Sequence, residues 1–366
     1  MFVIPLFLLI IQACLPTKQV VEHFDKRDKT TIVKQHKAKY PYHASDTRIF
    51  DLIHTDLKVV PVWENQTLNG IAKLTLKPYF YPTQKLILDA KGMSFSKVAI
   101  HTKEGVKTLK YDYDSLQLSI QLDKKYTKKD TIVVEIVYQS NPNKLTGNGS
   151  KAINDDKGLY FINPYGRDKV KPRQLWTQGE TEASSCWFPT IDSPNEKCSQ
   201  RISIQVDSSL TTLSNGVLIS SEIKGGLRVD IWEQKKPHAP YLFMIAVGEF
   251  AVVKDSWRGM PVNYLVPAKD SAYAREVFGN TPEMLSFYSD ILGYDYPWDK
   301  YNQIVVSDYV SGAMENTGAV IHGKWVYTTP AERIDYNNED VVAHELFHHW
   351  FGDLVTCESW SNLPLN

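Results

Sequence analysis

The sequence predicts two domains, a largely antiparallel β-domain followed by a mixed α/β domain. The chain has 366 residues, more than one ordinary domain holds. From about Phe50 to Val253 apolar residues recur with period two between turn residues, the mark of half-buried strands. After about Trp257 helix starts and stops alternate with strand-like runs, as in a mixed domain. The expected division is 46–254 for the first domain and 255–366 for the second.

The elements follow in chain order. MFVIPLFLLIIQA, residues 1–13, is almost wholly apolar. It is too short to span a bilayer as a mature helix and fits an export signal peptide. Ala13 before Cys14, with Ile11 two residues earlier, resembles a bacterial lipoprotein cleavage box. Cys14 then becomes the lipidated first residue and a point of membrane attachment. No Lys or Arg precedes the run and Gln12 is an uncommon choice there, so an uncleaved N-terminus is the alternative. Residues 14–45 are polar and mostly basic and read as a flexible tether. The expected location is outside the cytoplasm, in the cell envelope.

In the β-domain, Leu116, Leu118, Ile120 and Leu122 alternate with polar residues, and IAKLTLKP (71–78) and RISIQV (201–206) behave alike. TIVVEIVY (131–138) is apolar enough for burial on both faces. Ser214-Asn215-Gly216 and Gly225-Gly226 mark turns. Composition is globular, 43% hydrophobic and 23% charged, and a formal charge of −1 gives no reason to expect nucleic acid or another polyanion as partner. Cys186 and Cys198 are close enough in sequence to pair, with Cys357 left over; free buried thiols are the equal alternative, since spacing does not set geometry.

In the second domain Thr281-Pro282-Glu283 reads as a helix start, with Thr281 as cap, and Gly293 as its stop. Asn337-Asn338-Glu339-Asp340 opens a second helix through VVAHELFHHWFGDLV. His344, Glu345 and His348 on it form H-E-x-x-H. Positions i and i+4 lie one turn apart on one face, so both imidazoles can reach one ion. Glu345 stands beside the first ligand, placed to act as general base. The pentapeptide recurs by chance in roughly one or two chains of this length in a hundred; its position on a capped helix favours a metal site. His349 points elsewhere and is read as a supporting or surface residue. A zinc site needs a third protein ligand. The metzincin extension is excluded, because Phe351 and Leu354 stand where it needs Gly and His. Glu358 is the one acid following the helix closely, and the third ligand is missing from the chain.

Gly312-Ala313-Met314-Glu315-Asn316 ends 28 residues before His344. Together with HELFHHWFGDLVT it resembles the aminopeptidase N-like zinc metallopeptidases, gluzincins that carry both GAMEN and HExxH. Thr177-Gln178-Gly179-Glu180, and Tyr296-Pro297-Trp298 before Lys300-Tyr301, extend the likeness, which covers roughly residues 48–366. The resemblance implies an N-terminal, mostly antiparallel β saddle-like domain followed by the start of a thermolysin-like α/β catalytic domain. It implies one Zn2+ ion held by His344 and His348, with Glu345 as the catalytic base. It makes Glu315 the anchor for a substrate α-ammonium, assisted by Glu180 and Gln178. Gly312, Ala313, Met314 and Asn316 then lie along the substrate, the first two through backbone groups. The implied partners are peptides with a free N-terminus.

In that family the third zinc ligand is a Glu nineteen residues after the second His, which here counts to position 367, one past Asn366. The expectation is a shortened chain, itself inactive, from a longer enzyme. The N-terminal tail resembles envelope members from bacteria. Two other readings stand beside this one. A catalytically silent binding scaffold is opposed by the retention of His344, Glu345, His348 and Glu315. Epoxide hydrolysis, as in the leukotriene-forming relative, is not distinguished by any residue.

Overall fold

The computed structural model describes residues 44–145 and 149–366. The leader expected at 1–13, Cys14 and the tether as far as residue 43 lie outside the described residues. Of that tether, Ser45 donates its hydroxyl to Glu358 at 3.3 Å. No helix among the described residues is long and apolar enough to cross a membrane.

An eight-stranded sheet dominates the first half. Its strands run in the order Val217–Lys224, Leu227–His238, Cys198–Asp207, Phe50–Val62, Thr67–Pro78, Ile132–Ser140, Met93–Thr102 and Gly105–Thr108. Neighbours are antiparallel except Phe50–Val62 with Cys198–Asp207. A three-stranded sheet (Thr83–Asp89, Gln117–Tyr126, Lys110–Tyr113) and a four-stranded sheet (Thr211–Ser214, Ile245–Gly248, Gln174–Thr177, Leu159–Ile162) complete this part.

Period two places the core. Ala72, Leu74 and Leu76, then Leu118, Ile120 and Leu122, then Ile202, Ile204 and Val206 are all buried, while Leu116 precedes its strand and is exposed. The run 131–138 is buried on one face: Ile132, Val134, Ile136 and Tyr138 are inside, and Val133, Glu135 and Val137 are half-exposed. The outer face stays wet because Glu135 pairs across the sheet with Lys97 at 2.8 Å and Lys73 at 3.3 Å. The Lys97 hydrogen bond leads the interactions that hold its carboxyl down to about 2 against partial burial. Cys186, Cys198 and Cys357 are free buried thiols, and burial pushes Cys186 and Cys198 up to about 12, which makes them inert.

The second half is built on a mixed five-stranded sheet in the order Phe250–Trp257, Met260–Pro267, Tyr301–Val306, Ala319–Gly323 and Ala313–Met314. Helices α1 (Ala274–Phe278), α2 (Thr281–Leu292) and α3 (Glu339–Phe347) accompany it. Thr281 is the first residue of α2 rather than its cap: buried, it donates to the Phe278 carbonyl at 2.6 Å and accepts from Gln303 at 2.9 Å. Gly293 ends α2 in the left-handed region, φ 61°. Asn338 does stand at the start of α3, but its amide goes to the carbonyls of Trp325 (3.1 Å) and Val326 (3.2 Å) and ties the helix to the sheet. Tyr288 of α2 packs between Phe347 and Trp350, over a core of Phe278, Leu285, Val342 and Leu346.

Candidate metal centre

Helix α3 is shorter than its sequence pattern. It stops at Phe347, and His348 already occupies the C-terminal cap position. The chain then doubles back so that the His348 Nδ1–H donates to the Phe351 carbonyl at 2.9 Å. Gly352 permits this turn: its φ is +136°, and a Cβ there would meet His348 O at 3.0 Å and Nδ1 at 3.1 Å. With the proton on Nδ1, the His348 Nε2 lone pair is free for a metal, the arrangement that second contacts to ligand histidines usually enforce.

His344 and His348 converge as the i, i+4 spacing requires. Their rings are 4.6 Å apart and perpendicular, and the two Nε2 atoms stand 3.1 Å from each other. Two imidazole nitrogens bound tetrahedrally to one zinc ion stand about 3.3 Å apart, so the pair fits a shared ion. Desolvation lowers the basicity of both rings, aided at the more exposed His344 by its neighbour His348, which favours the neutral form that can ligate. Among the described residues no group of three or more His, Cys, Asp or Glu side chains is gathered as a metal site. The pair therefore supplies two ligands.

Glu345 lies between these histidines in sequence but turns inward. It is 6% exposed, and its Oε2 has no hydrogen-bond partner among the described residues. Burial raises its carboxyl well above the usual range, and Glu315, Glu180 and Asp353 push the same way. Burial likewise raises Glu315 to about 7, opposed by a hydrogen bond from Tyr241. Glu180 is raised to about 7 by burial and by Glu315, with His348 opposing. Asp353, fully buried, is raised well above its ordinary value by burial and Glu315. Four carboxyl groups sharing one enclosed region is an arrangement that favours cations. This electrostatic deficit, with the orphaned Glu345 oxygen and the converging nitrogens, fits a divalent metal.

The remaining expected residues come from two other segments. Ala313–Met314 is the edge strand of the five-stranded sheet, paired with His322 and Ile321, and the Gly323 N–H donates to Gly312 O at 3.0 Å. The outer edge of this strand is open to an extended peptide backbone. Met314 is buried against Tyr241 and Leu242 and accepts from the Gln178 amide at 3.3 Å; Tyr309 donates to the Gln178 carbonyl oxygen. Asn316 donates to Leu242 O at 3.3 Å and its own carbonyl receives Ala319 N–H at 2.7 Å. Met314 and Asn316 are thus held inward, and Glu315 between them faces the carboxylate cluster.

Several residues in this architecture have partners that the sequence does not show. His349 is fully buried: it donates from Nδ1 to Glu345 O at 3.0 Å and accepts the Gly318 N–H on Nε2 at 2.9 Å. It thereby fastens α3 to the end of the GAMEN segment, and burial drops its basicity to about 3. Lys300 reaches Ser214 O at 2.8 Å and Gly318 O at 3.0 Å, joining the same segment to the β-domain. Lys197 holds the carbonyls of Asp353 (3.0 Å) and Leu354 (2.8 Å). The Tyr241 hydroxyl donates to Gly352 O at 3.4 Å and accepts from Asn366 at 3.1 Å. Only spatial proximity gives these residues meaning.

A β-domain locked to a sheet and a helix bearing two converging imidazoles and an inward carboxylate defines the metallopeptidase class of site. Comparison with known proteins carries this further. Residues 51–242 match the Peptidase M1 N-terminal domain and residues 276–366 match the Peptidase family M1 domain. The chain belongs to peptidase family M1. It is 28% identical to glutamyl aminopeptidase of Sus scrofa over 88% of this chain and 35% of that protein. It is 26% identical to aminopeptidase 2 of Candida albicans over 93% of this chain and 35% of that protein. It thus spans about a third of the length of these curated relatives. A crystal structure of a two-domain M1 zinc metallopeptidase mutant bound to L-tryptophan superposes with a TM-score of 0.69, at 21% identity, over 88% of this chain and 69% of that one. The two-domain M1 fold expected from the sequence is the fold observed.

Proposed function

We propose that this chain is part of a zinc-dependent aminopeptidase that hydrolyses the first peptide bond of oligopeptides. The observation that carries the reading is the convergence of His344 and His348, 3.1 Å apart, beside a buried cluster of Glu345, Glu315 and Glu180. His344 and His348 would hold the ion through the Nε2 atoms that face each other. When bound, zinc supplies a Lewis acid for the scissile carbonyl and lowers the pKa of an attacking water. Glu345 accepts the proton from that water on its free oxygen and delivers it to the leaving amine. Glu315 and Glu180 receive the substrate α-ammonium, and one carboxylate paired with that cation fixes the distance to the first peptide bond. Gln178 supports this anchor through Met314, and the Gly312–Ala313 backbone orients the peptide. The names of the relatives support the aminopeptidase reading.

In the whole enzyme an aminoacyl-anilide is cleaved and its N-acetylated form is not; equal cleavage of both would sink the amine-anchor assignment. The 366-residue chain, with two gathered ligands, is expected to bind zinc weakly in a calorimetric titration. Tight stoichiometric binding would show a further ligand within it. We also propose export and lipid attachment through Cys14, on the apolar run before it. Incorporation of labelled fatty acid that disappears in Cys14→Ser is the expected result, and an unlabelled wild-type protein removes the idea.

A further inference from the structure

The turn between strands Thr67–Pro78 and Thr83–Asp89 carries three successive aromatic residues to the surface. Tyr79, Phe80 and Tyr81 are 49%, 61% and 74% exposed. Pro78 and Pro82 bracket them, and the Phe80 and Tyr81 rings meet edge to face at 4.8 Å. Single exposed apolar residues need no explanation, but a contiguous apolar patch marks an interaction site. This one is a protruding knob.

Its surroundings are net basic, with four lysines against two aspartates over residues 123–130. The end of strand Gln117–Tyr126 and the loop after it hold Lys124, Lys125, Lys128 and Lys129, all exposed, and Lys128 Nζ lies 5.6 Å from the Phe80 ring centre. The two acids of that segment have local partners: Asp123 accepts the Tyr126 hydroxyl at 2.7 Å, and Asp130 accepts both the N–H and the hydroxyl of Thr127 at 2.8 Å. The chain enters the described fold at the same end. Tyr79 N–H donates to Ile49 O at 2.9 Å, and the Arg48 guanidinium lies 4.6 Å from the Tyr79 ring.

We propose that this aromatic and lysine tip rests on an anionic phospholipid surface. Phe80 enters the interface, Tyr79 and Tyr81 keep their hydroxyls in the headgroup layer, and the lysines pair with lipid phosphates while their alkyl stems cover the rings. A protein partner of acidic charge would share the electrostatics but would need a concavity for three rings, whereas a bilayer yields to a convex knob. The inference stands apart from the peptidase reading and uses none of its residues.

The test mixes the full chain with vesicles of phosphatidylglycerol and phosphatidylcholine, or of phosphatidylcholine alone, and measures co-sedimentation against salt. Wild type is expected to bind the anionic vesicles and to lose binding as salt screens the lysines. Phe80→Ser with Tyr81→Ser is expected to weaken binding by about tenfold or more, and Lys124, Lys125, Lys128 and Lys129 all changed to Gln by a similar factor at low salt. Since every altered side chain is exposed, the thermal midpoint should not move. Each variant keeps the apolar leader, so binding equal to wild type would assign the attachment to the leader and overturn the proposal. Equal binding to both vesicle types, or binding to polyglutamate and to neither vesicle, overturns it too.

Discussion

Strand Ile132–Ser140 and helix α3 are each nine residues long, yet they are decided on different scales. The strand buries Ile132, Val134, Ile136 and Tyr138 and leaves the residues between them wetter, so its neighbours in sequence fix its fate. Helix α3 buries the carboxylate Glu345 and leaves His344 exposed. No local hydropathy rule gives that outcome. The helix is held by contacts from afar: Asn338 to the Trp325 and Val326 carbonyls, Tyr288 hydroxyl to Ala343 O at 3.2 Å, and His349 to Gly318. The apolar surfaces differ in the same sense. Phe287, Ile291, Phe347, Phe351 and Val355 around α2 and α3 are exposed, and in the large sheet it is the outer strands that expose Leu218, Ile219, Ile223 and Leu227, while the central strands direct their apolar residues into a continuous core. The β-domain draws its order from a continuous apolar core, while the second half also holds buried carboxylates in place.

If that contrast is right, its largest effect is in chemistry. Glu345→Gln in the whole enzyme is expected to lower kcat by about 10³-fold, within the range for loss of a general base, while zinc content by atomic absorption stays unchanged. A variant that keeps wild-type kcat would remove Glu345 from the reaction. Next comes the core of the β-domain. Leu74, fully buried, should cost about 3 kcal/mol as Leu74→Ala in denaturant unfolding. A loss under about 1 kcal/mol would mean that the sheet tolerates the cavity.

Glu315→Gln is expected to lower kcat/KM for a free-amine substrate by about 10²-fold, or about 2.7 kcal/mol, with little change for an N-acetylated one. An equal drop for both would make Glu315 structural. A further effect, spread over several pH units, lies in acid stability. Burial drops His238 and His322 to about 3 from an unfolded value of 6.5. The folded state keeps them neutral while the unfolded state takes up protons, so the stability they contribute is full above 6.5 and is lost as pH falls towards 3. Each contributes a slope of about 1.4 kcal/mol per pH unit in that window. His238→Gln and His322→Gln should flatten the wild-type profile, and parallel profiles would place the acid sensitivity elsewhere. The smallest change is expected where the helical half is open: Phe351→Ala, with Phe351 41% exposed, should move stability by under about 0.5 kcal/mol.

Most of the strand positions were legible because burial at every second residue is a local rule. The exceptions have physical causes. TIVVEIVY looked apolar on both faces, but Glu135 bridges Lys73 and Lys97 on the outer one. Thr281 looked like a cap, yet its hydroxyl is used inside, between Phe278 and Gln303. Helix α3 looked longer than it is, because the turn at Gly352 is invisible to helical periodicity. The histidine pair was readable from spacing alone. Of the partners that steady it, His349 was readable as a supporting or surface residue and Lys300 as part of the family likeness, but Lys197 and Tyr241 were not, since their polar groups meet atoms far along the chain.

By itself the sequence determined the alternating cores, the i, i+4 histidines and the GAMEN segment, all of which depend on neighbours within a turn or a strand. Only the tertiary structure decided that Asp353 joins Glu180, Glu315 and Glu345 in one region and that the Tyr79–Tyr81 turn meets a lysine-rich loop. Burial and charge proximity act through space, and desolvation of a carboxylate is set by what the whole fold brings around it.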